Sequence, residues 1–281
     1  MQKRLDDAET IQFLIMESIE ADCHINPKES LEYPPVALSY GEKLIKTKKG
    51  DMLLPIPIGT FGNFSLIQAP PKTKKTFFVS LLASIFLGST NNFGGKLKGH
   101  REDKNVIHID TEQGKWHAQK SFKRVLEMNK QDYSENYLTF GLRTIGFKQR
   151  IEFIEYCLEH KSKDTGLLII DGIADLVSDV NNLEESNACI QKIMEWSENY
   201  KVHIMCVIHS NFGSDKPTGH LGSFMEKKCE TQIQLEANTI NKEWTTVKCK
   251  RSRGYSFETF SFQINEVGMP EIIGNLYDPL K

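Results

Sequence analysis

Lys75 and Thr76 close a short loop, Ala69-Pro70-Pro71-Lys72-Thr73-Lys74, that separates the apolar run NFSLIQ from the helix-like FFVSLLASIFL. Such a loop can curl its backbone N–H groups around an anion, with the positive end of the following helix behind them. Lys75 then reaches phosphate oxygens and the Thr76 hydroxyl serves a divalent cation, which is the chemistry of the pattern GxxxxGK[ST]. Both glycines of that pattern are replaced, by Ala69 and Lys74, so the stretch alone also reads as a basic turn. Three further strand ends weigh for the phosphate loop. Val106–Asp110 (VIHID) delivers Thr111-Glu112-Gln113, Leu167–Asp171 (LLIID) closes in an aspartate, and His203–His209 (HIMCVIH) leads into Ser210-Asn211. Open α/β sheets collect their functional residues at the carboxyl ends of strands. There Asp171 would order Mg²⁺ through water, Glu112 would orient and deprotonate an attacking water, and His209 with Ser210 would sense the terminal phosphate. The four ends together predict a nucleotide site formed by Ala69 to Thr76, Asp171, His209 and Ser210.

The elements that must hold these residues are legible as alternating patterns. Strands are expected near 63–68, 105–110, 137–140, 166–171 and 203–209, and helices near 75–88, 115–129, 147–161 and 184–200. That alternation predicts an α/β fold with a mainly parallel sheet covered on both faces. Beyond Glu230, the patterns ETQIQLE, WTTVKCK and ETFSFQI with short turns read as an antiparallel C-terminal extension. Before the core, Asp6-Asp7-Ala8-Glu9 starts a helix with Ile11, Leu14, Ile15 and Ile19 on one side. Proline-bearing sequence from Pro27 to Pro57 reads as irregular, so the expected division is a helical arm and linker over 1–57 and a core over 58–281. Gly94–Lys104 reads as a polar, mobile loop.

The quoted motifs resemble the RecA/DnaB-type ATPases, and among them the RepA-like AAA-domain proteins of bacterial mobile elements and phages. The resemblance spans roughly Pro34 to Pro270 and is carried by GTFGNFSLIQAPPKTKKTFF, HIDTEQ, LLIIDGIADLVSDVNNLEESN, GHLGSFMEKKCETQIQLE and RSRGYSFETFSFQINEVGMP. It implies a RecA-like P-loop core that binds ATP and Mg²⁺ and hydrolyses ATP. It also implies a homo-oligomeric ring or filament, hexamer-like, acting on single-stranded DNA in replication or transfer of a mobile element, with replication or mobilisation proteins as further partners. Where the family usually has Gln-Asn-Lys after the histidine, this chain has Ser210-Asn211-Phe212, and Thr218 precedes GHLG where relatives often have Arg. The alternative implied by those departures and by the replaced loop glycines is a nucleotide-gated, self-associating assembly or regulatory module with little or no hydrolysis and no unwinding.

Two basic clusters extend that reading. Lys248–Gly254 (KCKRSRG) is either a solvated, charge-protected strand edge or, by the resemblance, an arginine finger in which Arg251 and Arg253 complete a neighbouring subunit's site. Ser210–Lys228 carries Lys216, His220, Lys227 and Lys228 as candidate contacts to single-stranded DNA, with Phe212 or Phe224 available to stack on bases. Phe224 and Met225 are equally readable as core. His108 and His117 lack metal-ligand company, and Trp116 reads as a helix-surface or core residue. The net charge of −2 excludes a global nucleic-acid signature. Six dispersed cysteines without a CxxC pair suggest buried thiols in a reducing cytoplasm rather than zinc or disulfides. The longest apolar run, Phe77–Leu87, is 11 residues, too short to cross a bilayer.

Overall fold

The structure, a computed structural model, describes residues 7–47, 50–89, 95–162, 164–211 and 214–273. The chain forms two compact units, Met1–Tyr33 and Pro34–Lys281. In the first, helix α1 spans Asp7–Cys23 and exposes Ile11, Phe13, Leu14, Ile15, Met16 and Ile19.

The second unit is built on a nine-stranded sheet. Its strands are β3 (Phe64–Ala69), β5 (Asn105–Asp110), β6 (Tyr137–Gly141), β7 (Thr165–Asp171), β8 (His203–His209), β9 (Thr231–Ala237), β10 (Thr245–Ser252), β11 (Phe260–Ile264) and β12 (Pro270–Ile273). They run in the order β12-β11-β10-β9-β3-β8-β7-β5-β6. β9 through β6 pair in parallel, whereas β10, β11 and β12 add antiparallel. β3 and β7 are buried along their whole length because helices cover both faces. Side chains alternate between two cores. Ile67, Leu167, Ile169, Met205 and Val207 meet helix α2 (Lys75–Phe86) in one core. Leu66, Leu168, Ile170, Ile204 and Cys206 meet helix α5 (Leu183–Asn199) in the other. Helices α3 (Lys115–Met128), α4 (Phe147–Tyr156) and α6 (Gly219–Lys228) complete the layers.

Two expectations need correction. The Pro27–Pro57 stretch is not irregular throughout: Val36–Thr47 (β1) and Gly50–Thr60 (β2) form a long antiparallel hairpin. Gly94 lies outside the described residues, but part of the supposedly mobile Gly94–Lys104 loop is strand β4 (Leu97–Gly99), paired with β1 and with Leu97 buried. The three-stranded sheet so formed contributes Ala37, Leu38, Tyr40, Ile56 and Ile58 to the α2-side core, with Tyr40 stacked on Phe260 at 4.2 Å. Its prolines fit because Pro55 and Pro57 lie on β2, an edge strand where a missing N–H is tolerated. His108 is core as expected, bonded through Nδ1 to Tyr137 at 2.7 Å, and burial lowers its pKa to about 3. The cysteines are unpaired.

Candidate nucleotide site

The period of the sheet decides which strand-end side chains can meet. Asp110, Asp171 and His209 alternate with residues of the α5-side core, so all three emerge on the α2 face. Asp110 pairs with Asp171 in register, and Ala69 pairs with His209. The loop from Pro70 to Lys74 leaves β3 at that level and turns into α2, whose N-cap, Lys74, makes no side-chain cap bond. The first N–H groups of the helix therefore stay open to an anion. Lys74 stands where the usual loop has its second glycine and adopts the left-handed backbone a glycine favours, φ 58° and ψ 28°. Lys72 is left-handed too, at φ 66°. Thr73 is buried and its hydroxyl donates to the Pro70 carbonyl at 2.7 Å, bracing the loop from inside. Lys74 reaches away to the Glu243 carbonyl in the β9–β10 turn.

Lys75, Glu112 and His209 converge. The Lys75 ammonium donates to His209 Nε2 at 3.2 Å, and the same nitrogen lies 3.4 Å from Glu112 Oε2. One ring nitrogen cannot accept from Lys75 and donate to Glu112 at once, so the two contacts compete. The interaction with His209 outweighs burial in holding the Glu112 pKa below its ordinary value, and Lys75 adds to the effect. Asp171 is the opposite case. Burial, with Asp110 and Glu112 nearby, raises its pKa to about 7, although Lys75 and His209 pull it down. Its Oδ1 is buried without a hydrogen-bond partner. Such an orphaned carboxylate oxygen beside Lys75 fits a site for a divalent cation. Among the described residues no cluster of three protein ligands exists, which suits Mg²⁺, an ion that takes one or two protein groups plus phosphates and water.

The cleft in front of these groups has a volume of about 420 Å³. Pro70, Lys72, Lys74, Lys75, Thr76 and Phe77 line one side, Glu112, Gln113, His117, Lys120, Ser121 and Arg124 the other, with His209 at the base. A second cleft of about 540 Å³ adjoins it, sharing Lys120 and Arg124 and reaching Trp116 and the β11–β12 turn. Ala69 is buried at the end of β3, and Pro71 is exposed outside the cleft lining.

Several contributors were not singled out from sequence. Asp110 accepts from the N–H groups of Glu112 (3.0 Å) and Gln113 (2.7 Å) and so sets the turn that aims Glu112. Aspartate two and three residues before its partners is a turn signal that composition carries. Thr111 ties β5 to β7 through the carbonyls of Asp171 and Gly172 and through Asp175. Gly172, at φ +105°, is required there, since a Cβ would lie 2.1 Å from Thr111 Oγ1. Arg124, buried, stacks 3.7 Å from the Phe77 ring and has its pKa lowered by burial. It lies twelve residues beyond Glu112, on the α3 face with His117, Lys120 and Ser121, and only packing reveals it.

The other expected residues are distributed away from the cleft. Ser210 emerges on the opposite face, where its hydroxyl accepts from Gln68 at 3.0 Å. Arg251 pairs with Gln232 near the amino end of β9, so it and Arg253 stand at the end of the sheet opposite the phosphate loop. Arg251 contacts Glu226 at 3.3 Å, and Arg253 donates to the Lys228 carbonyl at 2.7 Å. Lys216 and His220 lie at the start of α6, Lys227 and Lys228 at its end beside Arg253. That helix is roughly 15 Å long, so the four residues form two groups. His220 stacks on Phe224, while Met225 is core. Phe212 lies outside the described residues. Trp116 is an exposed helix-surface residue.

This arrangement defines a RecA-like P-loop ATPase fold. Residues 57–215 match the AAA domain family, AAA_25, and the chain belongs to it. Among solved structures it is similar to one described as the crystal structure of the RadB recombinase, at a TM-score of 0.54 and 15% identity. The match covers 76% of this chain and 93% of that one. No curated protein matches the sequence.

Proposed function

We propose that the protein binds Mg-ATP in the Lys75 cleft and hydrolyses it, and that the energy is spent on single-stranded DNA during replication or transfer of a mobile element. The observation that carries the nucleotide reading is the meeting of Lys75, Glu112, His209 and the orphaned Asp171 oxygen at one end of the sheet. The phosphates would lie on the open N–H groups of α2, with Lys75 on the β/γ oxygens, and the adjoining cleft offers room for the nucleoside. Thr76 and, through water, Asp171 would hold Mg²⁺, which supplies charge neutralisation on those oxygens. A phosphate that draws Lys75 away frees His209 Nε2 to donate to Glu112, orienting the carboxylate that activates water. Glu112, with its pKa held low, stays ionised at neutral pH for that task.

Arg251 and Arg253, remote from their own cleft, are proposed to complete that of a neighbouring copy in a closed ring or a filament. Lys216 and His220, with Lys227 and Lys228 further along α6, are the proposed contacts to DNA. Among the described residues no helix is long and apolar enough to cross a membrane. The second reading, nucleotide-gated assembly without turnover, is favoured by Ser210, whose hydroxyl is occupied away from the cleft. ATP hydrolysis measured with and without single-stranded DNA separates the two. DNA-stimulated turnover supports the first, and ATP-dependent assembly without turnover supports the second.

A further inference from the structure

The sheet face opposite the cleft carries three buried amides where apolar residues would pack, Gln68 on β3 and Gln232 and Gln234 on β9. A buried amide is unfavourable unless its polar atoms are bonded. Those of Gln68 are. Its Nε2 donates to Ser210 Oγ at 3.0 Å and to the Asp215 carbonyl at 2.8 Å, while its Oε1 accepts from Gln232 Nε2 at 2.7 Å. Ser210 follows His209, the base of the cleft. Asp215 belongs to a fold-back in which the Asn211 N–H donates to the Lys216 carbonyl at 2.9 Å and Thr218 Oγ1 to the His209 carbonyl at 2.8 Å. Gln234 donates to Asp215 Oδ1 at 3.3 Å, and Lys250 reaches the Asp215 carbonyl from β10. One amide, at the penultimate position of the strand that enters the phosphate loop, thus holds both arms of the fold-back.

We infer that Gln68 is a positioning residue that sets the Asp215–Thr218 segment, and with it Lys216, relative to the phosphate loop. Movement of His209 and Ser210 on nucleotide binding then passes through Gln68 to that segment. Leucine at this position would fill the space and cut all three bonds. Glutamate would keep the acceptor and set a negative oxygen against Ser210 Oγ and the Asp215 carbonyl. The clamp itself stands on the geometry alone; its link to the cleft rests on the nucleotide reading.

The test is amide hydrogen exchange on the full-length Gln68→Leu protein, with and without Mg and a slowly hydrolysed ATP analogue, beside the parent. Removing two bonds to the fold-back should speed exchange at 215–218 by about tenfold. Exchange in α2 and β5 should stay unchanged, and ATP affinity should remain within about twofold of the parent. Protection that the analogue confers on 215–218 in the parent should be lost. Adding Ser210→Ala to Gln68→Leu should add nothing further. Unaltered exchange at 215–218, or acceleration spread over the whole sheet, would overturn the inference by making Gln68 an ordinary core residue. If Gln68→Leu does not fold, Ser210→Ala alone, which removes one bond, gives the same reading at smaller size. A parent that binds no nucleotide sinks the proposed function, yet the nucleotide-free comparison still decides whether the clamp exists.

Discussion

On the proposed reading, removing the Lys75 ammonium would take away a charged hydrogen bond to the nucleotide, an interaction of about 1.5–3 kcal/mol. Lys75→Ala should therefore weaken Mg-ATP binding roughly tenfold to a hundredfold by titration calorimetry, and unchanged affinity would rule out the site. Glu112→Gln keeps shape while removing the proposed base, so it should retain ATP and lower turnover by about two orders of magnitude or more. Asp171 makes a different prediction because its pKa is raised to about 7. Its protonated form is the one favoured by folding, so its contribution to stability is greatest below the ordinary carboxylate range and is lost as pH rises towards 7. Asp171→Asn should accordingly be more stable than the parent at pH 8 in the absence of ligand, with the difference gone near about pH 4. If Asp171 holds Mg²⁺ as proposed, binding would need the carboxylate, so the Mg²⁺-dependent part of ATP affinity should decrease as pH is lowered below about 7 in the parent. The variant should lack that part at every pH. Calorimetry across pH and denaturant melts check both halves.

At the scale of elements, the seating of α6 depends on backbones that meet without side chains between them. Gly219 begins α6 at φ +69°, and a Cβ there would lie 2.6 Å from the Val180 carbonyl oxygen. Gly219→Ala should destabilise the protein by about 1–2 kcal/mol from the left-handed backbone alone, and more from the clash, as read by urea denaturation. Lys74 tests the converse. Its left-handed backbone costs a residue with a Cβ about 1 kcal/mol relative to glycine, while its side chain bonds the Glu243 carbonyl. Lys74→Gly should leave ATP binding intact and change stability by less than about 1 kcal/mol. Loss of nucleotide binding in that variant would mean that Lys74 itself contacts phosphate.

For the whole molecule, the decisive fact is that Arg251 and the phosphate loop occupy opposite ends of one sheet. Neutralising both arginines to alanine should leave ATP binding by a single copy largely intact while lowering hydrolysis and loosening ATP-dependent assembly. Mixing that protein with Glu112→Gln creates interfaces that pair an intact Glu112 with intact arginines. Hydrolysis recovered in the mixture places the arginines at a neighbour's site. Mixed oligomers that recover none would leave Lys248–Gly254 as a solvated edge.

Much of this was written along the chain. Short apolar runs ending in Asp110, Asp171 and His209, alternating with helical stretches, made the mainly parallel core legible, because each strand end is a local pattern, whereas the order of the strands in the sheet was set by pairing. The loop from Ala69 to Thr76 and the glutamate after β5 were legible for the same reason. The hairpin of β1 and β2 was not, since its prolines mimic linker sequence and its strand character comes from pairing with β4 and packing on Phe260. The burial of Arg124 over Phe77, the exit of Ser210 onto the far face and the clamp of Gln68 were settled only in three dimensions. Each depends on which neighbour a strand pairs with, and a single residue's register sends a side chain to one face of the sheet or the other.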